Sequence, residues 1–222
     1  MTGLKRFFHE WRGFLLFLFL MVFFRAAIAD WNTVPTPSMH PTIIEGDRIW
    51  IDKLAYDIKV PFTSYSLAKT DDPQRADVVV FKSPADGTRL VKRLIGLPGD
   101  TIAMRDNVLI VNNIPAQYAL SNTDQPINGS EDSMILKESI TKRDYSVKWL
   151  RNRPHYLQSF GPITVPAGHY FFMGDNRNNS GDSRFFGSVP RKLLIGRADK
   201  IVMSLNPNNF YLPRTDRFML DL

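Results

Sequence analysis

The chain contains no cysteine. That excludes a disulfide framework, a thiol nucleophile and a zinc–thiolate site. It does not decide on which side of a bacterial inner membrane the protein works. Histidine is scarce, with only His9, His40, His155 and His169. No tract of Lys and Arg interleaved with aromatics occurs, and the charges are mixed in sign, which argues against nucleic acid as a partner. The glycines of the Gly96-Leu97-Pro98-Gly99 turn lack the spacing of a phosphate-binding loop.

What is present suffices for a folded protein. The 222 residues allow one sizeable domain, or one domain with an insertion. A 44% hydrophobic fraction with 12% aromatics excludes wholesale disorder. The pI of about 9.6 and formal charge of +6 suit a domain that sits beside anionic lipid.

The N-terminal 12 residues carry Lys5, Arg6 and Arg12 against Glu10. An unbroken apolar run follows from Gly13 to Phe24, is interrupted by Arg25 and continues to Ala29. As a helix, 13–29 rises ~25 Å, slightly short of a ~30 Å hydrocarbon core. Trp11 and Trp31 flank it where interfacial aromatics belong. Two readings stand side by side: a transmembrane anchor over 13–29, or a cleavable secretory signal ending near Ala27-Ile28-Ala29. In both, positive residues leave the N-terminus in the cytoplasm and export the remainder.

Beyond that segment lies Thr36-Pro37-Ser38-Met39-His40-Pro41. Each proline fixes its own φ and holds the preceding residue extended. Ser38 is therefore expected on a stiff, non-helical piece of chain, as a nucleophile's direction requires; a proline-punctuated linker is the competing reading. Strands are predicted over Arg48–Lys53, Asp77–Phe81 and Arg89–Ile95, with an irregular excursion over 57–75. Within 89–95, alternation puts Leu90, Lys92 and Leu94 on one face. Apolar neighbours around Lys92 would lower its pKa by burial; a lysine snorkelling from a sheet edge is the plainer alternative. Val108–Val111 with Asn112-Asn113 reads as a strand entering a hairpin turn. From about 115 to 166 polar residues multiply and apolar runs shorten, as in an inserted lobe. Ile163–Met173 returns to core-like strand. The polar run Gly174–Arg184 is then either a surface loop, held by Asx turns, or a site. It is not a calcium loop, because positions three and twelve would be Arg177 and Phe186.

Together these stretches resemble the bacterial type I signal peptidases (leader peptidases), Ser-Lys dyad serine proteases. The resemblance is carried by Pro37–Thr42, by Lys92–Asp100 and by Gly174–Arg184. It is extended by Arg75–Phe81, which matches the family's core strand. It spans roughly Arg25 to Arg197 and is weakest over 115–166. It implies Ser38 as nucleophile and Lys92 as general base, with Ser180 orienting the lysine. The Ser38 N–H and the Thr36 hydroxyl would form the oxyanion hole, and Asp182 and Arg184 would support the loop. Two departures are Thr36, where many members have Ser, and Asn178, where the family often has Asp and to which no catalytic role is assigned. No metal or cofactor is implied.

The chemistry is coherent. A lysine base works only when neutral, so its pKa must fall by ~3 units from ~10.4, at a cost of about 4 kcal/mol. Ser180 can orient the amine without adding a charge that would raise that pKa. A histidine base fits less well. His9 lies on the far side of the apolar run, His40 shows no orienting carboxylate nearby, His155 falls in the lobe, and His169 sits in a turn.

The expected architecture is mostly β. It comprises a cytoplasmic N-terminus (1–12), an anchor (13–29), an antiparallel catalytic core (30–111 and 167–222) and an inserted β lobe (112–166). The implied partners are exported preproteins, cut after Ala-x-Ala-like sites while bound as an extended strand, and the phospholipid membrane, with no nucleic acid. The implied location is single-pass in the inner membrane, with the catalytic domain on the periplasmic side. Alternatives are a specialised Ser-Lys peptidase for a conjugation or pilus factor, and an anchored, non-enzymatic β-rich binding module. Ala27-Ile28-Ala29 itself resembles such a cleavage site.

Overall fold

The computed structural model describes residues 2–120, 133–140, 143–151 and 158–222, with side chains from Trp11 onward. His155 and the middle of the expected lobe lie outside the described residues. The apolar N-terminal run forms helix α1 (Thr2–Ala27). Phe14, Phe17, Phe19, Leu20 and Met21 are all at least half exposed, so apolar side chains point in every direction. The uncharged stretch between Arg12 and Arg25 is 12 residues. Among the described residues, no helix is long and apolar enough to cross a membrane. The helix also stops short of the expected boundary at 29. Ala29 already belongs to strand β1 (Ala29–Thr33), where it is buried and paired with Asp52. The bond after Ala29 is thus held inside a sheet.

Pro37–Met39 forms one turn of 3-10 helix, where the proline pattern suggested non-helical chain. The reason is that proline suits the first helical position, where its missing N–H is not needed. Thr36 before it is extended, with φ −128° and ψ 149°, as the pre-proline restriction requires. Met39 and Ile43 are fully buried and peg this segment into the core. Strand β2 (Asp47–Asp52) follows with alternating burial. Strands β3 (Asp57–Lys59) and β4 (Ser66–Lys69) pair as a hairpin inside the expected irregular excursion. Every residue of β4 is exposed, so no hydrophobic alternation marked it. Strands β5 (Val78–Lys82) and β6 (Arg89–Gly96) match the expected ones.

Strands β7 (Thr101–Arg105), β8 (Val108–Val111) and β9 (Ile114–Pro115) follow. Asp106-Asn107 and Asn112-Asn113 link them, each with both φ angles positive, which is the backbone of a two-residue type I′ turn. Strands β10 (Gln117–Leu120), β11 (Ser133–Ser139) and β12 (Asp144–Leu150) make a three-stranded sheet. Strand β13 (Phe160–Thr164) returns to pair with β7. Composition grouped 101–111 with the core, whereas hydrogen bonding groups it with 160–164.

Strand β14 (His169–Met173), the short helix α2 (Ser183–Phe186), and strands β15 (Val189–Pro190) and β16 (Leu194–Asn206) complete the core, with β17 (Leu212–Pro213) and β18 (Leu220–Asp221) lying along β16. The main sheet runs β1-β2-β16-β5-β6-β14-β15. Every pair of strands within the sheets is antiparallel. Strand β5 is buried on both faces. Val78 and Val80 pack with Met39, Ile43, Ile49 and Ile51. Val79 and Phe81 pack with Tyr56, Leu94 and Phe172. Each such side chain contributes about 1.5–3 kcal/mol on burial. A third cluster joins Ile95, Phe171 and Met173 of the main sheet to Ile102, Met104, Tyr145, Val147 and Trp149, fastening the β7–β9/β13 and β10–β12 sheets to the core.

Candidate active site

Two elements meet at Ser38. The 3-10 turn places it 8% exposed, and β6 brings Lys92 to it from the centre of the sheet, 3% exposed. Lys92 Nζ donates to Ser38 Oγ at 2.6 Å and to the Val91 carbonyl at 3.1 Å. Neither contact is a charge partner. Burial pushes the Lys92 amine down to about 8, against the pull of Asp182 and Asp175, with Arg184 adding to the fall. Ser38 is the second residue of its turn. Its N–H precedes the first bond of that turn, from His40 N–H to the Pro37 carbonyl at 3.0 Å. The Thr36 side chain, two residues upstream, is exposed.

The polar run after β14 is interior rather than surface. Asp175, Arg177 and Asp182 are fully buried, and Asn176, Asn178 and Ser180 nearly so. Asp182 organises the loop: it accepts from the Gly174 N–H at 2.9 Å and from Arg184 Nε and Nη2 at 2.8 Å each. Burial pushes its carboxyl up, but the Arg184 guanidinium and the Gly174 amide outweigh that and hold it below the ordinary range. Arg184 also donates to the Arg177 carbonyl. Ser180 Oγ sits close enough to Asp182 to help lower its pKa, yet it makes no well-formed hydrogen bond among the described residues, Lys92 included. Gly174 is the crossing point. A Cβ there would overlap both the Ser180 hydroxyl and the Ser38 carbonyl oxygen, so only glycine lets the loop approach the serine turn this closely.

Sequence reasoning missed several residues that build the site. Asn176 clamps the serine turn, its N–H donating to the Ser38 carbonyl and its Nδ2 to the Pro37 carbonyl, each at 3.1 Å. Arg93, next to Lys92, grips Asp175 with two bonds of 2.8 and 2.7 Å, while Thr42 donates to the same carboxylate. Arg177 pairs doubly with Glu138 of β11, which also accepts from Tyr118 and Tyr145. Asn178 bonds both backbone groups of Leu150, a structural use consistent with its having no assigned catalytic role. The density of Asx and Arg in 174–184 was the visible signal. The side-chain partners of Asp175, Asn176, Arg177 and Asn178 lie 28 to 139 positions away, beyond the reach of any local pattern.

The histidine analysis needs one correction. His40 does have a carboxylate, Glu45 Oε2 at 2.6 Å from its Nε2, brought round by the tight turn after Pro41. Ser38 Oγ, however, receives its bond from Lys92 and not from His40. Burial holds His40 below its ordinary pKa despite Glu45. His169 bonds the Ala167 carbonyl within its own turn. A cleft of about 630 Å³ opens beside the serine turn, lined by Val34, Pro37, His40, Lys148, Asn176 and Asn179 among others.

With this geometry established, comparison with known proteins is direct. A family model described as signal peptidase, peptidase S26 matches residues 8–203. Signal peptidase I of Pseudomonas fluorescens is 32% identical over 219 residues, covering 93% of this chain and 76% of that protein. Signal peptidase I of Buchnera aphidicola subsp. Acyrthosiphon pisum is 36% identical over 231 residues, covering 86% and 74%. A crystal structure of a signal peptidase I from Enterococcus faecalis V583 matches at 34% identity with a TM-score of 0.37, covering 58% of this chain and 98% of that one.

Proposed function

The chain belongs to the signal peptidase family, peptidase S26, and from that premise we propose that Ser38 and Lys92 are the dyad with which it cleaves signal peptides from preproteins. The observation that carries this reading is the 2.6 Å line between Lys92 Nζ and Ser38 Oγ, closed off from solvent and, among the described residues, free of any ion pair to the lysine. Once the amine is neutral, the same line carries the serine proton to nitrogen. Ser38 Oγ then attacks the scissile carbonyl. The oxyanion is held by the Ser38 N–H and the Thr36 hydroxyl. Lys92 returns its proton to the leaving amine, the Ser38–acyl bond is formed as the peptide C–N bond breaks, and water activated by the neutral lysine releases the acyl group. Ser180 would orient the amine once its hydroxyl turns to Lys92, a bond not made in this structure, and Asp182 with Arg184 holds the loop that carries it. The relatives are named as peptidases, and they lend no support to a non-enzymatic binding module.

The anchor belongs to the same proposal. Its support is the all-round apolar surface of α1 between Arg12 and Arg25. Trp11 and Trp31 would sit at the two interfaces and both arginines would snorkel outward. The core of 30–111 and 167–222 and the lobe of 112–166 then lie on the extracytoplasmic side, single-pass in the inner membrane.

The test is cleavage of a preprotein bearing an Ala-x-Ala site, read by product mass. Ser38→Ala and Lys92→Met are each expected to lose at least about three orders of magnitude in rate while remaining folded. Retained activity in Lys92→Met would remove the lysine from its role and leave the serine protease without an assigned base.

A further inference from the structure

Between the last turns of α1 and the β3–β4 hairpin lies a second cavity of about 630 Å³, whose lining includes neither Ser38 nor Lys92. Six cations line it: Arg25, Lys53, Lys59, Lys82, Arg89 and Lys192. The one carboxylate among its lining residues is Asp30. Asp30 is already shared, with Arg25 at 2.9 Å, Arg89 at 3.5 Å and Lys53 at 3.8 Å. With Asp57 acting on Lys59 from outside the lining, six cations still face two carboxylates. Burial lowers Lys53 and Lys59 from the ordinary lysine range against the pull of Asp30 on the first and Asp57 on the second, with Arg89 and Arg25, and Arg191 and Lys82, adding to the fall.

The cavity is also amphipathic. Met21, Val22 and Phe24 of α1 line it, each more than two fifths exposed. Opposite them stands the hairpin tip, where Phe62 is 83% exposed on a backbone with φ of 65°. Tyr65 and Leu67 continue that exposed apolar edge. Arg25 marks the junction, its guanidinium 4.9 Å above the Trp31 ring. Cations converge at the level where the apolar helix face ends. That is the layout of a membrane–water interface, with phosphates at the depth of the basic groups.

We propose that this cavity binds the phosphate head group of an anionic membrane phospholipid, with the acyl chains running down the Met21–Phe24 face of α1 and past Phe62. The inference rests on reading α1 as the membrane anchor. A bound head group neutralises the cation cluster and ties β3–β4 and the 191–195 turn to the end of α1. Catalytic domain and membrane surface are thereby held in one orientation.

The test uses the full chain in detergent micelles, with retained lipid counted by native mass spectrometry. The probes are phosphatidylglycerol and zwitterionic phosphatidylcholine. Phosphatidylglycerol is expected to be retained at least about tenfold better, with about fivefold lost per cation removed. Lys82 and Lys192 are exposed, so Lys82→Ala/Lys192→Ala should keep the fold and its cleavage of a soluble peptide while losing about twenty-five-fold in phosphatidylglycerol retention. Lys200→Ala, a distant cation paired with Asp221 at 2.6 Å, should lose nothing. Equal retention of the two lipids, or an unchanged double variant, overturns the proposal. Displacement by millimolar inorganic phosphate overturns the lipid assignment in favour of a free-anion site. Alkaline carbonate extraction separates the premise from the inference. If it releases the chain from membranes, the anchor reading fails and this proposal with it. A chain that stays in the membrane and shows no preference for phosphatidylglycerol defeats this proposal alone.

Discussion

At the scale of single residues, the site turns on one amine. Lys92 is charged below about pH 8 and neutral above it. The rate constant for cleavage should therefore climb through an apparent pKa near 8 and level off above it, as a pH–rate profile would record. Asp182 raises the amine's pKa by its charge, so Asp182→Asn should move that rising limb to lower pH even if the maximum rate falls. A limb that stays in place would mean the profile reports another group. The stability sign follows from the same shift. The folded pKa lies below the unfolded value near 10.5, so the unfolded chain binds more protons between those values and stability rises with pH across that window. Ser180 has the opposite signature. Its hydroxyl makes no well-formed hydrogen bond among the described residues, so Ser180→Ala should leave the unfolding midpoint within about 0.5 kcal/mol. Cleavage should still fall by about tenfold to a hundredfold. Unchanged kcat with normal stability would strip Ser180 of its positioning role.

Among elements, the loop from Gly174 to Arg184 is where two sheets are joined, the main sheet and the β10–β12 sheet. Arg93–Asp175 ties it to β6, Arg177–Glu138 to β11, and Asn178 to the end of β12. The first two are buried ion pairs with their remaining donors and acceptors largely used, and removing one partner strands the other in low dielectric. Arg177→Met should cost about 3–5 kcal/mol in denaturant unfolding, with part recovered in Arg177→Met/Glu138→Gln. A loss below about 1 kcal/mol would show that water reaches Glu138. The elements themselves were legible in unequal degree. Strands β2, β5 and β6 announced themselves by alternation or by unbroken valine, because they are buried. The β3–β4 hairpin and the 3-10 turn at Ser38 did not. An exposed strand carries no hydrophobic period, and a proline permits a turn of helix as readily as extended chain.

For the whole molecule, the absence of cysteine becomes an experimental convenience. Single cysteines can be introduced without removing any. Asn208 lies in an exposed turn beside the cleft of the serine turn. With the proposed topology, Asn208→Cys should react with a membrane-impermeant maleimide on intact spheroplasts, whereas Thr2→Cys should react only after permeabilisation. The reverse pattern would invert the protein in the membrane, and labelling of both would deny the anchor.

The sequence by itself determined the class of the protein. The three motif stretches lie in register behind an apolar segment, and that order carries the resemblance to the signal peptidase family before any coordinates. It also placed Lys92 among apolar neighbours, because alternation along a strand is a local rule. Tertiary structure alone decided how the dyad is assembled and tuned. Ser38 and Lys92 are 54 positions apart, and the clamp by Asn176, the approach at Gly174 and the pairing of Arg177 with Glu138 all join residues distant in the chain. The cation-lined cavity under α1 is of the same kind, drawing its side chains from six separate stretches. Burial and long-range charge set these properties, and both depend on which distant residues the folded chain brings together.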